Sequence, residues 1–404
     1  MEGIDVLVFA SSLHDEEALA PLRRRLLADL QAATAHPISE VKHASSQRMT
    51  ALLILTGGVE RDVLKLVSRM PPPILLLAHP GNNSLPAALE ILARVQRDGG
   101  EGRVLFGSPD VIARGLEQEL AIATAWDALR FSRIGLIGEP SEWLVASDVD
   151  PAFLKGRLAI ELVTVPIDEL VRRVAAASAS RKDVARWKRG AVDVLEASAD
   201  DLRESIEVYE GLRSLVDEHW FNACTVRCFD LVERLKRTGC YALARLNDEN
   251  VPSGCEGDMQ AMMSLYIAFL LSNQTSFMAN VTAVDPDARV IDLAHCTCAL
   301  SLLMRYSIRT HFESGLGTGI VGTMEPGPCT VFRLGGERLD QLFAREGTIQ
   351  KAAPVENACR TQVRVALEDP VEDLLARPLG NHHILLRGHH RATIERFFSR
   401  FLAT

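Results

Sequence analysis

The first third of the sequence alternates short, wholly apolar runs with amphipathic ones. "DVLVFASS", "ALLILTGG", "PILLLAHPG" and "RVLFGS" are separated by "ALAPLRRRLLADLQAA", "ERDVLKLVSRM" and "LPAALEILARVQRD". Runs that are apolar on both faces, with helical segments between them, are what a parallel sheet covered on both sides requires. Residues 1–125 therefore read as a doubly wound α/β domain. In such sheets ligands sit off the carboxyl ends of the strands, which here are Ser11 and Ser12, Gly57 and Gly58, and the stretch from His79 to Ser84.

A second α/β pattern runs through "SRIGLIGEP", "LAIELVTVP", "NACTVRC" and "CYALARLND" to a very apolar helix after Glu256. It is interrupted by a charged, helix-forming stretch between Arg181 and Leu215, which reads as one or two surface helices with a solvated face. After Gln274 the pattern changes to "SFMANVTAV", "ARVIDLAHC", "GIVGTME", "CTVFRLGG", "TQVRVALE" and "HHILLRG", followed by a terminal helix "RATIERFFSRFL". Short strands at this density without helices between them indicate an antiparallel sheet or barrel. The expected fold is two doubly wound α/β domains, 1–125 and 126–274, followed by a C-terminal antiparallel β-barrel domain, 275–404. A chain of 404 residues exceeds what one core usually accommodates, in keeping with several domains.

Composition excludes some classes of function. The formal net charge is −9 and no dense Lys/Arg tract occurs, so nothing invites nucleic acid or an anionic membrane. The most apolar stretch, "MMSLYIAFLL", falls well short of the roughly 20 residues that span a bilayer. The N-terminus is acidic where a signal peptide is basic, so a cytoplasmic protein is expected. Eight unevenly spaced cysteines do not form a disulfide framework, and without CxxC spacing they read as small buried hydrophobes.

Chemistry concentrates in "GCEGDMQAMM". Burying a carboxylate costs several kcal/mol unless it is paired, protonated or bound to a cation, and here Glu256 and Asp258 both precede an apolar helix. One of them is explained as a helix cap; the second asks for a partner. His295 ends one C-terminal run, and His382 and His383 begin another. Carboxylate and imidazole donors converging from separate elements suit Mn²⁺, Co²⁺ or Zn²⁺. "RYSIRTHFESGLGTGIVG" adds Arg309, His311 and Glu313 before a run of glycines, readable either as an anion clamp or as a turn between strands. Its position in the β-rich region speaks against a dinucleotide fingerprint. "HPGNNS" places His79, Asn82 and Asn83 at a strand end, where a turn and a helix cap account for them.

"GCEGD", "SFMANVTAVD", "LAHC" and "GNHHILLRGHH", in this order, resemble the L-fucose isomerase and L-arabinose isomerase superfamily, in motif detail over residues 250–400 and in architecture over the whole chain. The resemblance implies a divalent metal, usually Mn²⁺, and aldose–ketose isomerisation of a small carbohydrate or sugar phosphate through an enediol. It makes Glu256 ligand and acid/base, and His295 and His382 or His383 the imidazole ligands. It also implies a homo-oligomer, trimer or hexamer, in which His79, Asn82 and Asn83 reach substrate across an interface. The chain departs from the pattern where relatives carry a second acid: that position is Ala279 or Asn280. Asn280 is left as a hydrogen-bonding or carbonyl ligand, and Asp258, Asp285 or Glu313 as the second proton carrier. An epimerase, a carbon–carbon lyase or a silent sugar-binding protein on the same scaffold are the alternatives.

Overall fold

The computed structural model describes residues 3–45 and 47–403. The chain forms two compact units, Met1–Thr124 and Ala125–Thr404. In the first, β1 (Ile4–Phe9), β2 (Ile38–Glu40), β3 (Met49–Ile54), β4 (Ile74–Ala78) and β5 (Gly102–Phe106) make a parallel sheet of order β2-β1-β3-β4-β5. The apolar runs are continuous because successive side chains are buried on opposite faces. Leu53, Leu75 and Leu77 pack with Leu116 and Leu120, while Leu52, Ile54 and Leu76 pack with Val63, Ala88 and Ile91. The doubly wound expectation is borne out here.

The second unit opens with β6 (Arg133–Ile137), β7 (Glu161–Val165), β8 (Ala223–Val226) and β9 (Ser253–Cys255), a parallel sheet of order β7-β6-β8-β9. Ile137 pairs with Val226 and Val226 with Cys255. The carboxyl ends of three strands are therefore side by side, and the loops they release, including the one carrying Glu256, share one edge. The helix Met259–Ser272 follows. It is buried almost all round, as its composition predicts, because it packs on β8 and β9 and also on β14 and β17 of the barrel.

The barrel strands are β10 (Phe277–Asp285), β11 (Val290–His295), β14 (Gly327–Gly335), β15 (Gln341–Gln350), β16 (Thr361–Leu367) and β17 (His382–Arg387). Among the described residues they close in the order β10-β11-β16-β15-β14-β17, every pair antiparallel. Two short strands, β12 (Leu303–Arg309) and β13 (Gly319–Met324), form a separate ribbon. "GIVGTME" thus lies outside the barrel, and its place is taken by β15, whose charged residues Arg345 and Glu346 hide its strand character. Cys240–Asp248 is a helix, not a strand. The charged stretch forms helices Arg181–Gly190 and Ala199–His219, and the second buries Leu202, Ile206 and Leu215 under its solvated face. The central sheet and the barrel belong to one compact unit.

Candidate active site around Glu256

Glu256 follows β9 directly, with φ +62, and Gly257 continues in the same left-handed region at φ +76. This double turn reverses the chain within two residues. A Cβ on Gly257 would lie 2.8 Å from the Glu139 carbonyl oxygen, so only glycine fits there. A non-glycine residue held at positive φ stores about 1 kcal/mol or more of strain, a feature common at sites. Glu256 is buried, and its Oε2 accepts from the Trp143 indole N–H at 2.6 Å.

Asp258 is fully buried and N-caps the apolar helix: Oδ1 accepts from the Ala261 N–H at 2.8 Å. Its Oδ2 lies 3.0 Å from His382 Nδ1 and 3.3 Å from Arg333 Nη1. Burial alone would raise this carboxyl, but the His382 hydrogen bond and the Arg333 charge outweigh it and hold it down at about 2. Arg333 itself is fully buried. It also donates to the His382 carbonyl at 2.6 Å, to Ser147 at 2.9 Å and to Leu379 O at 3.1 Å. Asp258 is therefore occupied on both oxygens and acts as a positioning residue.

Because Nδ1 of His382 faces the Asp258 carboxylate, it carries a ring proton, and in the neutral ring Nε2 keeps its lone pair. That Nε2 is buried without a hydrogen-bond partner among the described residues, and it lies 3.7 Å from Glu256 Oε1. Two electron-rich atoms face each other in a buried place, where each is costly unless a cation or a proton stands between them. A histidine fixed by a carboxylate on one nitrogen, with the other open, is the usual support for a metal ligand.

His295 is arranged the opposite way. Its Nδ1 accepts from the Thr297 backbone N–H at 3.0 Å. A backbone nitrogen only donates, so Nε2 carries the proton. The ring thus offers an N–H, not a lone pair, through Nε2. Burial first, then the neighbouring His382 and His311, hold it neutral, with its pKa lowered to about 3. Its ring centroid is 5.4 Å from that of His382, and Cys255, Glu256 and His295 bring ligand atoms within 4.8 Å of one another.

A cavity of about 40 Å³ joins Glu256, Asn280, His295, His311 and Glu313 with Phe229 and five cysteines. Alternation on β10 decides which of two adjacent residues faces it: Ala279 packs in the barrel core and Asn280 lines the cavity. Asn280 pairs in register with His382 and accepts on Oδ1 from Asn381 at 2.9 Å. His311 is buried, and burial, then Arg360, lower its pKa to about 4. Glu313 stands exposed at the rim; burial of its inner side and then the Glu256 charge raise its pKa.

Several candidates are elsewhere. His383 points into the barrel, its ring 5.3 Å from that of Phe343, while its neighbour His382 points out; the two are not joint ligands. Arg309 is paired with Glu196 on the surface and does not line the cavity. Asp285 lies at the exposed end of β10. Gly317, Gly319 and Gly322 have GxGxxG spacing but enter a strand, not a helix. The Gly315 N–H is spent on the His311 carbonyl at 3.0 Å, closing a turn. In the first unit, His79 places Nε2 3.0 Å from Leu55 O and Nδ1 2.9 Å from Pro80 O. Asn82 and Asn83 form the following turn at φ +48 and +54.

Trp143 and Arg333 are the residues that sequence reasoning missed. Arg333 left one trace, a guanidinium in the middle of the apolar strand "CTVFRLGG"; Trp143 left none.

No family model matches the chain. The chain is similar to sulfoquinovose isomerases. The protein of that name from Alkalicoccus urumqiensis is 24% identical over 247 residues, 57% of this chain and 54% of the relative. That from Clostridium sp. (strain MSTE9) is 24% identical over 267 residues, 63% and 59%, and that from Priestia megaterium is 19% identical over 242 residues. The chain thus spans between half and three fifths of the length of the curated relatives it matches. The similarity supports a sugar isomerase superfamily and does not single out L-fucose or L-arabinose isomerase. No described helix is long and apolar enough to cross a membrane.

Proposed function

We propose that this protein is an aldose–ketose isomerase for a small sugar, with a divalent cation, Mn²⁺ in the first instance, held by Glu256 and His382. The observation that carries the reading is the buried Nε2 lone pair of His382 aimed at the Glu256 carboxylate across 3.7 Å. The donor chemistry fits an ion there, one carboxylate and one oriented imidazole. When bound, such an ion polarises the C1 and C2 oxygens of an open-chain sugar.

The remaining work falls to the chain. Asp258 and Arg333 fix the His382 ring and keep its lone pair available. The Trp143 N–H holds one oxygen of Glu256, leaving the other directed at His382. The His295 Nε2–H is positioned to donate to a substrate oxygen, and Asn280 contributes amide contacts in place of a second acid. Isomerisation requires a base that takes the C2 proton and returns it to C1, while a proton passes from the C2 hydroxyl to the C1 oxygen. Glu313 is the second carboxyl of the cavity and, with its raised pKa, supports that role. Sulfoquinovose is the first substrate to test, because the relatives carry its name, and neutral aldoses follow.

The test compares metal content by mass spectrometry with solvent-deuterium incorporation into the sugar, for wild type and Glu256→Gln. Near-stoichiometric metal and C1 deuteration in wild type alone are expected. Deuterium exchange that survives the substitution would sink the assignment of Glu256. An epimerase or a lyase would reveal itself in the same assay by its products.

A further inference from the structure

Five of the cysteines, Cys228, Cys240, Cys255, Cys296 and Cys359, line the cavity that contains Glu256, and two of them meet. Cys255 ends β9, and Cys228 stands two residues beyond the end of β8. Val226 and Cys255 are partners in the parallel register, and the Gly257 N–H donates to the Val226 carbonyl at 3.1 Å, so the two strands release their loops side by side. Cys228 Sγ and Cys255 Sγ end 3.0 Å apart, both thiols free and both buried.

Other thiols have different surroundings: Cys298 and Cys329 belong to the barrel core, and Cys224 lies 3.4 Å from the Ser253 hydroxyl. A lone buried cysteine behaves as a small hydrophobe, whereas two sulfurs in contact can share a bond. A disulfide sets its sulfurs about 2.05 Å apart, so this pair has about 1 Å left to close. The cavity that both thiols line measures about 40 Å³, and a water needs roughly 10–15 Å³, so an oxidant as small as hydrogen peroxide fits beside them.

We propose that Cys228 and Cys255 are an oxidative modification site, which hydrogen peroxide closes to a disulfide and a reducing thiol reopens. One sulfur attacks the peroxide: an S–O bond forms as the O–O bond breaks, and the thiol proton leaves with the other oxygen as water. The second sulfur then displaces the hydroxyl of this sulfenic acid, an S–S bond forms, and its proton leaves in a second water. Two electrons pass from the sulfurs to the peroxide, and a reducing thiol returns them by exchange, ending as a disulfide itself. Closing the bond pulls on Cys255, the residue before Glu256, whose carboxylate faces His382 at 3.7 Å. On the isomerase reading of Glu256, on which this consequence alone rests, a displacement of about 1 Å costs on the order of 100-fold in turnover.

The reduced full chain is treated with hydrogen peroxide, alkylated in denaturant and mapped by peptide mass spectrometry. A cross-linked peptide pair joining Cys228 to Cys255 is expected, and dithiothreitol should erase it. In the same samples wild-type turnover should fall by on the order of 100-fold and return on reduction, while Cys228→Ser keeps under peroxide whatever turnover it has without it. Cys228 and Cys255 that both remain open to alkylation, or disulfides that join other cysteines instead, overturn the proposal whatever the protein catalyses. A cross-link that forms with turnover unchanged overturns the control of Glu256. Where reduced wild type shows no isomerase turnover, the isomerase reading fails, and the cross-link in wild type alone decides the modification site.

Discussion

The loop after β4 in the first unit and the loop after β9 in the second occupy the same kind of place, the carboxyl end of a parallel strand leading into a helix, and a histidine stands at each: His79 in the first loop itself, and His382, from barrel strand β17, beside the second. They differ in how the polar atoms are satisfied. Around His79 two backbone carbonyls face the ring nitrogens at 3.0 and 2.9 Å, and the N–H of a neutral ring donates to one of them, while Ser84 bridges the His79 backbone N–H and the Ile54 carbonyl. Around Glu256 the scaffold leaves the buried His382 Nε2 without a partner among the described residues, and likewise Ser141 Oγ and Thr297 Oγ1, whose backbone N–H groups bond to Glu256 and His295. What separates the two loops is a buried, unpartnered imidazole nitrogen aimed at a carboxylate, an arrangement that calls for an explanation such as an ion.

The comparison is tested most severely at Glu256. Glu256→Gln keeps the shape and the Trp143 contact but removes the charge facing His382. Isomerase turnover should fall by on the order of 10⁴-fold, about 5 kcal/mol in the barrier, with little change in melting temperature. A large stability loss instead would make Glu256 another scaffold residue, like His79.

Arg333 tests the other half of the contrast, that the surroundings of His382 are scaffold. Arg333→Met leaves Asp258 buried without its cation, and such losses cost roughly 3 kcal/mol or more. Chemical denaturation should show it directly, and the lost activity should return in part at low temperature, where the remaining fold persists. Equal denaturation midpoints for variant and wild type would remove Arg333 from the scaffold.

How much of this was legible beforehand follows from the range of each signal. The strands of the first unit and most of the barrel are written in local periodicity, a pattern of two or an unbroken apolar run. Glu256 and Asp258 were visible because two acids abutted an apolar helix within three residues. The Trp143 contact to Glu256 spans 113 positions and the Arg333 contact to Ser147 spans 186, so the first exists only when the loops after β6 and β9 meet and the second only when β14 is in place. The division of labour between His382 and His383 needed the strand alternation together with the direction of the barrel interior. The five thiols fall between residues 228 and 359 with no common spacing, and only the cavity gathers them.

Acid should expose the same scaffold more gently. The Asp258 carboxyl is held at about 2 in the fold against a usual 3.8. A depressed carboxylate contributes stability that is fully present above its unfolded value, near pH 4, and is lost as pH falls through the folded value, near pH 2. The contribution is about 2 kcal/mol. Stability measured from pH 5 down to pH 2 should therefore decline less steeply in Asp258→Asn, once its lower starting value is subtracted. Parallel curves for the two proteins would mean that other carboxylates govern acid unfolding.

The smallest effect belongs to His79. His79→Leu preserves bulk and withdraws the ring nitrogens from the Leu55 and Pro80 carbonyls, leaving these acceptors to water or to nothing. A lost hydrogen bond at a buried carbonyl costs about 1 kcal/mol, and the first unfolding transition should move by that amount. The contrast between the two loops predicts that this is where the effect ends, in stability. A variant whose unfolding midpoint is unmoved but whose apparent sugar affinity drops severalfold would return His79 to the substrate. It would also show that hydrogen-bond satisfaction within one chain is a poor guide to residues that act only when copies of the chain assemble.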